Sequence, residues 1–193
     1  IQLFRENKKI REAQGDILFT HDCLSGPIIL NLSRYIEKRD VIKLNYLNQN
    51  IEITELVNYF KEKEKIQINT ALKYFANFSK KHIDLILKNL GIKNSKKCSQ
   101  ISNIEINKIL KNIIEEEFVI TKTGGFNRAM STCGGIDLNE INLKTLSAKN
   151  NNNLWFIGEI IDIDGDTGGY NLQFAFSSGK KCAEIINNIC NRG

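Results

Sequence analysis

Glu159 follows Gly158 at the end of a short apolar run, and Gly168-Gly169-Tyr170-Asn171 stands at the head of a long segment with an apolar stripe. A carboxylate at the first position accepts hydrogen bonds. A helix beginning at the second offers unpaired backbone N–H groups and the positive end of its dipole, and two glycines beside it keep side chains out of the way. Together these features suit an electron-rich cofactor such as a flavin. Each piece also has an ordinary reading: Gly-Gly as a tight turn, and Glu159, Asp162, Asp164 and Asp166 as a solvated acidic loop or a cation loop. The three aspartates alternate suitably for calcium, but Gln173 stands where the closing glutamate of such a loop belongs, so no metal site is expected.

The elements that would position these residues follow from pattern. Leu154-Trp155-Phe156-Ile157 reads as a short buried strand. From Leu172, apolar or small residues recur at 172, 175, 179, 182, 186 and 189, the spacing of an amphipathic helix, with Gly179 inside the stripe suggesting close approach to another backbone. Toward the N-terminus, residues 3–6, 8–13 and Ile17-Leu18-Phe19 read as strand fragments. The chain's one proline, Pro27, suits the start of a helix bearing Ile28, Leu32 and Ile36, and 41–46 alternates as a strand. The middle predicts four helices: 55–64 capped by Thr54, 68–78 with Leu72, Phe75 and Ala76 on one side, one bracketed by Ser79 and Gly91, and one opened by a Ser102/Glu105 capping box. β structure resumes at 118–121. His82 is expected on the bundle surface.

Composition bounds the function. At 193 residues and 41% hydrophobic content the chain can bury a core. No apolar run reaches the roughly 18 residues of a membrane span and the first residues show no charged-then-apolar leader pattern, so a membrane role is not expected of this stretch. The start at Ile1, inside a strand-like pattern, is what an excised segment would show. Five cysteines without a C-x-x-C pair favour reduced thiols in the cytoplasm. Cys182 falls on the core stripe, and Cys133 beside Gly134-Gly135 is a candidate thiol near the cofactor. The net charge of +5 resides in the middle, where residues 52–111 carry twelve lysines against six acidic residues. Nucleic acid is the alternative partner this suggests. Lysines spread over several helices without arginine, and with few aromatics interleaved, favour a solvated surface instead.

Three ordered segments carry a resemblance: 15–27 (GDILFTHDCLSGP), 123–136 (TGGFNRAMSTCGGI) and 155–179 (WFIGEIIDIDGDTGGYNLQFAFSSG). They closely resemble a bacterial family of FAD-containing flavoproteins, described as NAD(P)/FAD-dependent oxidoreductases or aminoacetone-oxidase-like, with bile-acid-inducible reductases among their relatives. The resemblance implies an α+β, multidomain fragment in which a β-barrel is interrupted by a small helical bundle and followed by the last strand and helix of an FAD-binding dinucleotide fold. Residues 1–48 and 117–145 would form the barrel-like domain, 49–116 the helical insert, and 146–193 the C-terminal part of the FAD-binding domain. No G-x-G-x-x-G follows any strand, so the part that would hold the FAD pyrophosphate is absent and these residues alone are expected to retain no FAD.

By the same resemblance, Gly158 lets the backbone approach the cofactor and Glu159 accepts a hydrogen bond from a ribityl hydroxyl. Gly168, Gly169, Tyr170 and Asn171 present backbone N–H groups to the pyrimidine edge. Thr132, Gly134 and Gly135 line the ring, while Thr20, His21 and Ser25 face the substrate. His21 is a candidate general acid, set against the more ordinary reading of a histidine that holds its loop through backbone hydrogen bonds. The family usually has glycine where this chain has Cys23, which would strain the loop if that position needs a positive φ. Two function classes follow. One is an FAD-dependent oxidoreductase that, when complete, passes hydride from NAD(P)H through FAD to a small unsaturated, carbonyl or amine substrate. The other is a non-catalytic module whose basic helices dock protein or RNA. For the first, the small-molecule substrate and the remainder of the FAD-binding domain are the expected partners.

Overall fold

The computed structural model describes residues 1–47, 52–75, 78–151 and 153–191, and of Phe75 only the backbone. In chain order the strands are β1 (Gln2–Arg5), β2 (Lys8–Glu12), β3 (Leu18–Phe19), β4 (Leu24–Ser25), β5 (Val41–Leu44), β6 (Glu116–Val119), β7 (Ile141–Asn142) and β8 (Ser147–Ala148). The helices are α1 (Pro27–Leu32), α2 (Ile53–Glu62), α3 (Ile68–Phe75), α4 (Lys80–Asn89), α5 (Asn103–Ile114) and α6 (Tyr170–Cys190). They fall into two compact units, residues 1–12 with 39–120 and residues 13–38 with 121–193.

The first unit joins an antiparallel sheet, ordered β2-β1-β5-β6, to the helices α2–α5. β1 and β2 close on the two-residue turn Glu6-Asn7, with φ of 49° and 64°, a geometry whose twist matches that of the strands it joins. Alternation then selects the faces. Leu3, Ile42 and Leu44 are buried, while Lys43 on the opposite face lies 5.1 Å from the Phe4 ring centroid and 2.7 Å from Glu117. Asp40, buried just before β5, is gripped by Arg5 through Nε–Oδ1 and Nη2–Oδ2 bonds, each 3.0 Å. This two-pronged pair compensates a carboxylate that burial alone would disfavour.

Among the described residues the expected β-barrel does not form. The sheet of the first unit is open, and β3-β4 and β7-β8 are separate two-stranded ladders. Four strands of four or five residues are too few and too short to curl round on themselves. The edge strand β2 exposes Lys8, Lys9, Arg11 and Glu12, charges that disfavour further pairing.

The helical bundle follows its sequence signals closely. Leu56, Phe60, Ile68, Leu72, Ile83, Leu87, Ile109 and Ile113 fill one core. Ser102 and Glu105 form the reciprocal capping box of α5, and the Ser79 hydroxyl caps α4 by accepting from the His82 N–H at 3.2 Å. Thr54 is not a cap: α2 starts at Ile53 after Glu52, and the Thr54 hydroxyl donates to the Glu52 carboxylate. Of the residues expected along α3, Leu72 is buried, whereas the Phe75 side chain and Ala76 lie outside the described residues. His82 is not a surface residue. Its place in the first turn of α4 sets it edge-on to Tyr46 (5.1 Å) and Phe78 (4.9 Å), with Nε2 3.8 Å from the Glu116 carboxylate to which the Tyr46 hydroxyl donates.

In the second unit, the β3-β4 hairpin leads through Gly26 into α1, which Pro27 opens. Gly26 has φ +98°, and a Cβ there would stand 2.8 Å from the Asp16 carbonyl oxygen, so both conformation and space require glycine. The segment 154–157 forms no strand ladder. Trp155 makes a single antiparallel bridge to Ser147, and Leu154 and Ile157 remain exposed. The helix expected after it is present as α6, and the middle of the expected stripe, residues 175, 179, 182 and 186, lies on its buried or half-buried side, while its two ends, Leu172 and Ile189, are exposed. Leu172 is 67% exposed, while Ser178 and Cys182 are buried. Gly158 (φ +66°) packs against this side: its N–H donates to the Ser178 hydroxyl at 2.9 Å, and a Cβ on it would lie 3.5 Å from that of Ala175. Gly179 faces the Ile157 side chain at ordinary contact, not another backbone. Among the described residues, no helix is long and apolar enough to cross a membrane.

The capping box gives the bundle a pH response. Hydrogen bonds from Lys96 and Ser102 hold the Glu105 carboxyl at about 2, below its ordinary 4.5. A folded-state pKa below the unfolded one means that the stabilisation is present above the unfolded value and is lost as pH falls toward the folded one. Thermal melts between pH 5 and pH 2 are therefore expected to decline less steeply for Glu105→Gln than for the parent.

Candidate functional site

The glycine-rich stretch 132–136 and the loop 158–162 are sewn together by backbone. The Ile136 N–H donates to the Ile160 carbonyl at 2.8 Å and the Asp162 N–H to the Ile136 carbonyl at 3.1 Å, making a parallel bridge between Ile136 and Ile161. Gly135 permits this approach. A Cβ on it would meet the Ile160 carbonyl oxygen at 2.6 Å and the Asp162 nitrogen at 2.8 Å, both main-chain atoms that no rotamer can move. Glu159 completes the seam by accepting the Thr132 N–H on Oε1 at 2.8 Å. Three of the predicted site residues, Thr132, Gly135 and Glu159, are thus in one cluster, and Gly134 beside them has φ +100°.

The tip of α6 is held by a second set of contacts. The Asn171 side chain accepts from the Gly165 N–H at 2.8 Å and donates to the Gly165 carbonyl and the Ser131 hydroxyl, tying the helix to the acidic loop and to the glycine-rich stretch. Asn31 of α1 accepts the Thr167 N–H at 2.7 Å, and Arg34 pairs with Asp164 at 2.7 Å. The acidic loop is therefore fastened by cross-links, with Asp164 committed to Arg34. Partial desolvation, followed by the hydrogen bond to Asp164, pushes the Cys133 thiol up, which keeps it protonated instead of a reactive thiolate. Gly168 and Gly169 adopt φ of +135° and +91°, and among the described residues no side chain caps the helix. The N–H groups of Tyr170, Asn171 and Leu172 precede the first intrahelical bond, from Gln173 to the Gly169 carbonyl. A Cβ added at Gly169 would meet open space, and Tyr170 and Leu172 are exposed, so the tip faces outward.

A family model described as "HI0933-like protein Rossmann domain" matches residues 1–185. The chain belongs to this HI0933-like family of FAD-binding oxidoreductases. Similar curated proteins include the ribosomal RNA dihydrouridine synthases of Haemophilus influenzae, 34% identical over 89% of this chain and 42% of that protein, and of Escherichia coli, 31% identical over 95% and 43%. A 3-dehydro-bile acid delta(4,6)-reductase of Clostridium scindens is 25% identical over 88% of this chain and 43% of that protein. The chain thus spans less than half the length of these relatives.

The β3-β4 turn of this HI0933-like chain is built differently from a bare substrate loop. The Thr20 hydroxyl donates to the Cys23 carbonyl at 2.8 Å and accepts the Cys23 N–H at 3.1 Å, so Thr20 closes the turn. Cys23 is absent from the positive-φ residues and carries no such strain. Arg128 holds Asp22 at 2.8 Å and draws its carboxyl below the ordinary range. His21 is exposed between them and Ser25 is half-buried in β4. Sequence reasoning missed the fastening residues Asn31, Arg34, Arg128 and Ser178. Each acts on a partner at least twenty residues away in the chain, and local patterns carry no signal for such pairs.

The seam makes a sharp expectation. Gly135→Ala should lower stability by roughly 1–3 kcal/mol through main-chain overlap, whereas Gly169→Ala should show a cost from its positive φ alone. Denaturant titration of both variants checks this: equal midpoints would remove the steric role assigned to Gly135.

Proposed function

We propose that the complete protein is an FAD-dependent oxidoreductase that reduces a carbon–carbon double bond conjugated to a carbonyl. The uncapped, glycine-flanked tip of α6, together with the Glu159 seam, is the observation that supports this most directly, in a chain of a flavoprotein family. The names of the relatives supply the bond type. Dihydrouridine is uridine with its C5=C6 bond saturated, and that bond is conjugated to the C4 carbonyl. A Δ4,6 bond in a 3-oxo bile acid is conjugated in the same way. Both named ribosomal RNA relatives exceed the bile-acid relative in identity, so uridine in RNA is our first substrate and a small enone the second.

The residues of this chain fit the cofactor. Glycines at 168 and 169 leave main-chain N–H groups and the dipole of a 21-residue helix facing outward, suited to the electron-rich pyrimidine edge of a flavin. Glu159 spends one carboxylate oxygen on Thr132, and we assign the other to a ribityl hydroxyl. When bound, FAD supplies hydride taken from NAD(P)H, and the helix tip favours the negative charge that its reduction brings. Gly134 and Gly135 keep side chains away from the ring. On the hairpin, Thr20 and Asp22 are engaged in holding the turn. We therefore assign proton delivery to His21, with Ser25 on the substrate side. The division into a helical insert at 49–116, an interrupted domain at 1–48 with 117–145, and a C-terminal FAD-domain segment at 146–193 belongs to this proposal, as does a cytoplasmic site of action for a chain with free thiols.

Full-length protein incubated with NAD(P)H and ribosomal RNA from cells lacking it should yield dihydrouridine, seen by mass spectrometry of the digested RNA as a gain of two hydrogens. Reduction of a small enone without any RNA product would instead support the second substrate. A full-length protein without visible flavin absorbance would leave the non-catalytic docking module as the better account. His21→Asn is expected to lower kcat about a hundredfold with FAD content unchanged. An unaltered kcat would return His21 to the role of a loop residue.

A further inference from the structure

We propose that the helical bundle of the first unit carries a docking surface for single-stranded RNA, in which Tyr74 is a stacking platform for an unpaired base and lysines around the α2–α3 turn neutralise the adjoining phosphates. This rests on the reading that RNA is the substrate and adds where this chain would hold it.

Tyr59 on α2 and Tyr74 on α3 stack with ring centroids 4.9 Å apart and planes within 9°, yet Tyr74 is 68% exposed. Tyr59 fixes the orientation of a ring whose surface remains largely in solvent. A ring held flat in this way has little conformational freedom left to lose, and every nucleobase presents a face that can stack on it. Starting two residues beyond Tyr59, the end of α2 and the turn after it run Lys61-Glu62-Lys63-Glu64-Lys65-Ile66 and line a recess of about 300 Å³. The bridge between Gln67 and Lys97, and the Ser99 N–H donating to the Glu64 carbonyl, bring a further lysine to the same turn.

Charge selects the partner. Residues 52–111 hold twelve lysines against six acidic residues. Lys96 is paired with Glu105 at 2.8 Å, but Lys61, Lys63, Lys65 and Lys97 form no ion pair among the described residues. Cations at the C-terminal end of α2 are also stabilised by its dipole, so the turn tolerates their density. A polyanion meets these lysines, and the exposed aromatic narrows the class. A duplex buries its base faces, whereas a single strand offers them. An acidic peptide would use the lysines and gain little from Tyr74.

The test is fluorescence anisotropy of full-length protein with a fluorescein-labelled oligouridylate, with polyglutamate as the acidic-peptide probe. Tyr74→Ala is expected to bind the RNA about tenfold more weakly, and Tyr74→Phe within about twofold of the parent. Changing Lys63 and Lys97 together to Gln should reduce the log–log salt slope by roughly 0.7 for each phosphate that these lysines neutralise. Thermal melts identical to the parent establish that the Tyr74 variants fold. Equal RNA affinity for Tyr74→Ala and parent, an equal loss in Tyr74→Phe, or polyglutamate binding as tightly as RNA at the same salt would overturn the proposal. The substrate reading fails separately. Dihydrouridine formation by a Tyr74→Ala protein with unchanged affinity removes only the docking surface, whereas Tyr74-dependent binding without dihydrouridine removes only uridine reduction.

Discussion

Main-chain contact between Gly135 and residues 160–162 is the constraint on which the candidate site depends. At that point two stretches of backbone approach more closely than any side chain allows, and the hydrogen bonds on either side fix their register. Once the register is set, the Thr132 N–H lies beside the Glu159 carboxylate, and the acidic loop is delivered to the foot of α6. The helix is seated by a second glycine, Gly158, through Ser178. Two residues without side chains therefore position a carboxylate and a helix terminus, the two groups to which our proposed function assigns the flavin.

Fastening around the acidic loop explains why it keeps a defined shape despite its four carboxylates. Arg34 neutralises Asp164, Asn31 caps the Thr167 N–H, and Asn171 brackets Gly165 from both sides. The Arg34–Asp164 ion pair contributes little by itself, on the order of 1 kcal/mol or less, but together with the neutral hydrogen bonds it restricts a glycine-rich segment that would otherwise sample many conformations. Rigid donors and acceptors of this kind lower the reorganisation needed when a ligand arrives.

Much of the helical bundle is legible in the sequence because its signals are local: apolar spacing, a Ser102/Glu105 box, a serine before α4 and a glycine at its end. The start of α2 is not, since Thr54 and Glu52 are both acceptable near a helix start and only the backbone angles at Glu52 decide between them. The barrel was an inference from resemblance, and strand pairing is a non-local property that four short segments cannot announce. His82 shows the same limit. Nothing within a few residues of it indicates that Tyr46 and Glu116 converge on the ring. At the site, the glycines and Glu159 are visible as a motif. The partners that hold them, Thr132 excepted, are not, because a hydrogen bond between Asn31 and Thr167 leaves no periodicity to detect.

The polypeptide leaves the sheet after β5 and re-enters it at β6, and these two strands are neighbours. Across that doorway the Tyr46 N–H bonds to the Ile113 carbonyl at 2.9 Å, while the Tyr46 hydroxyl donates to Glu116. An excursion whose ends already touch imposes almost no strain on its host, since closing the ends costs only a slowly growing entropy however long the intervening chain becomes. The sheet could therefore accommodate a bundle that is enlarged, shortened or replaced by a plain hairpin turn without any change in strand register. Such a neck lets the inserted helices diversify through evolution while the strand pairing of their host stays untouched.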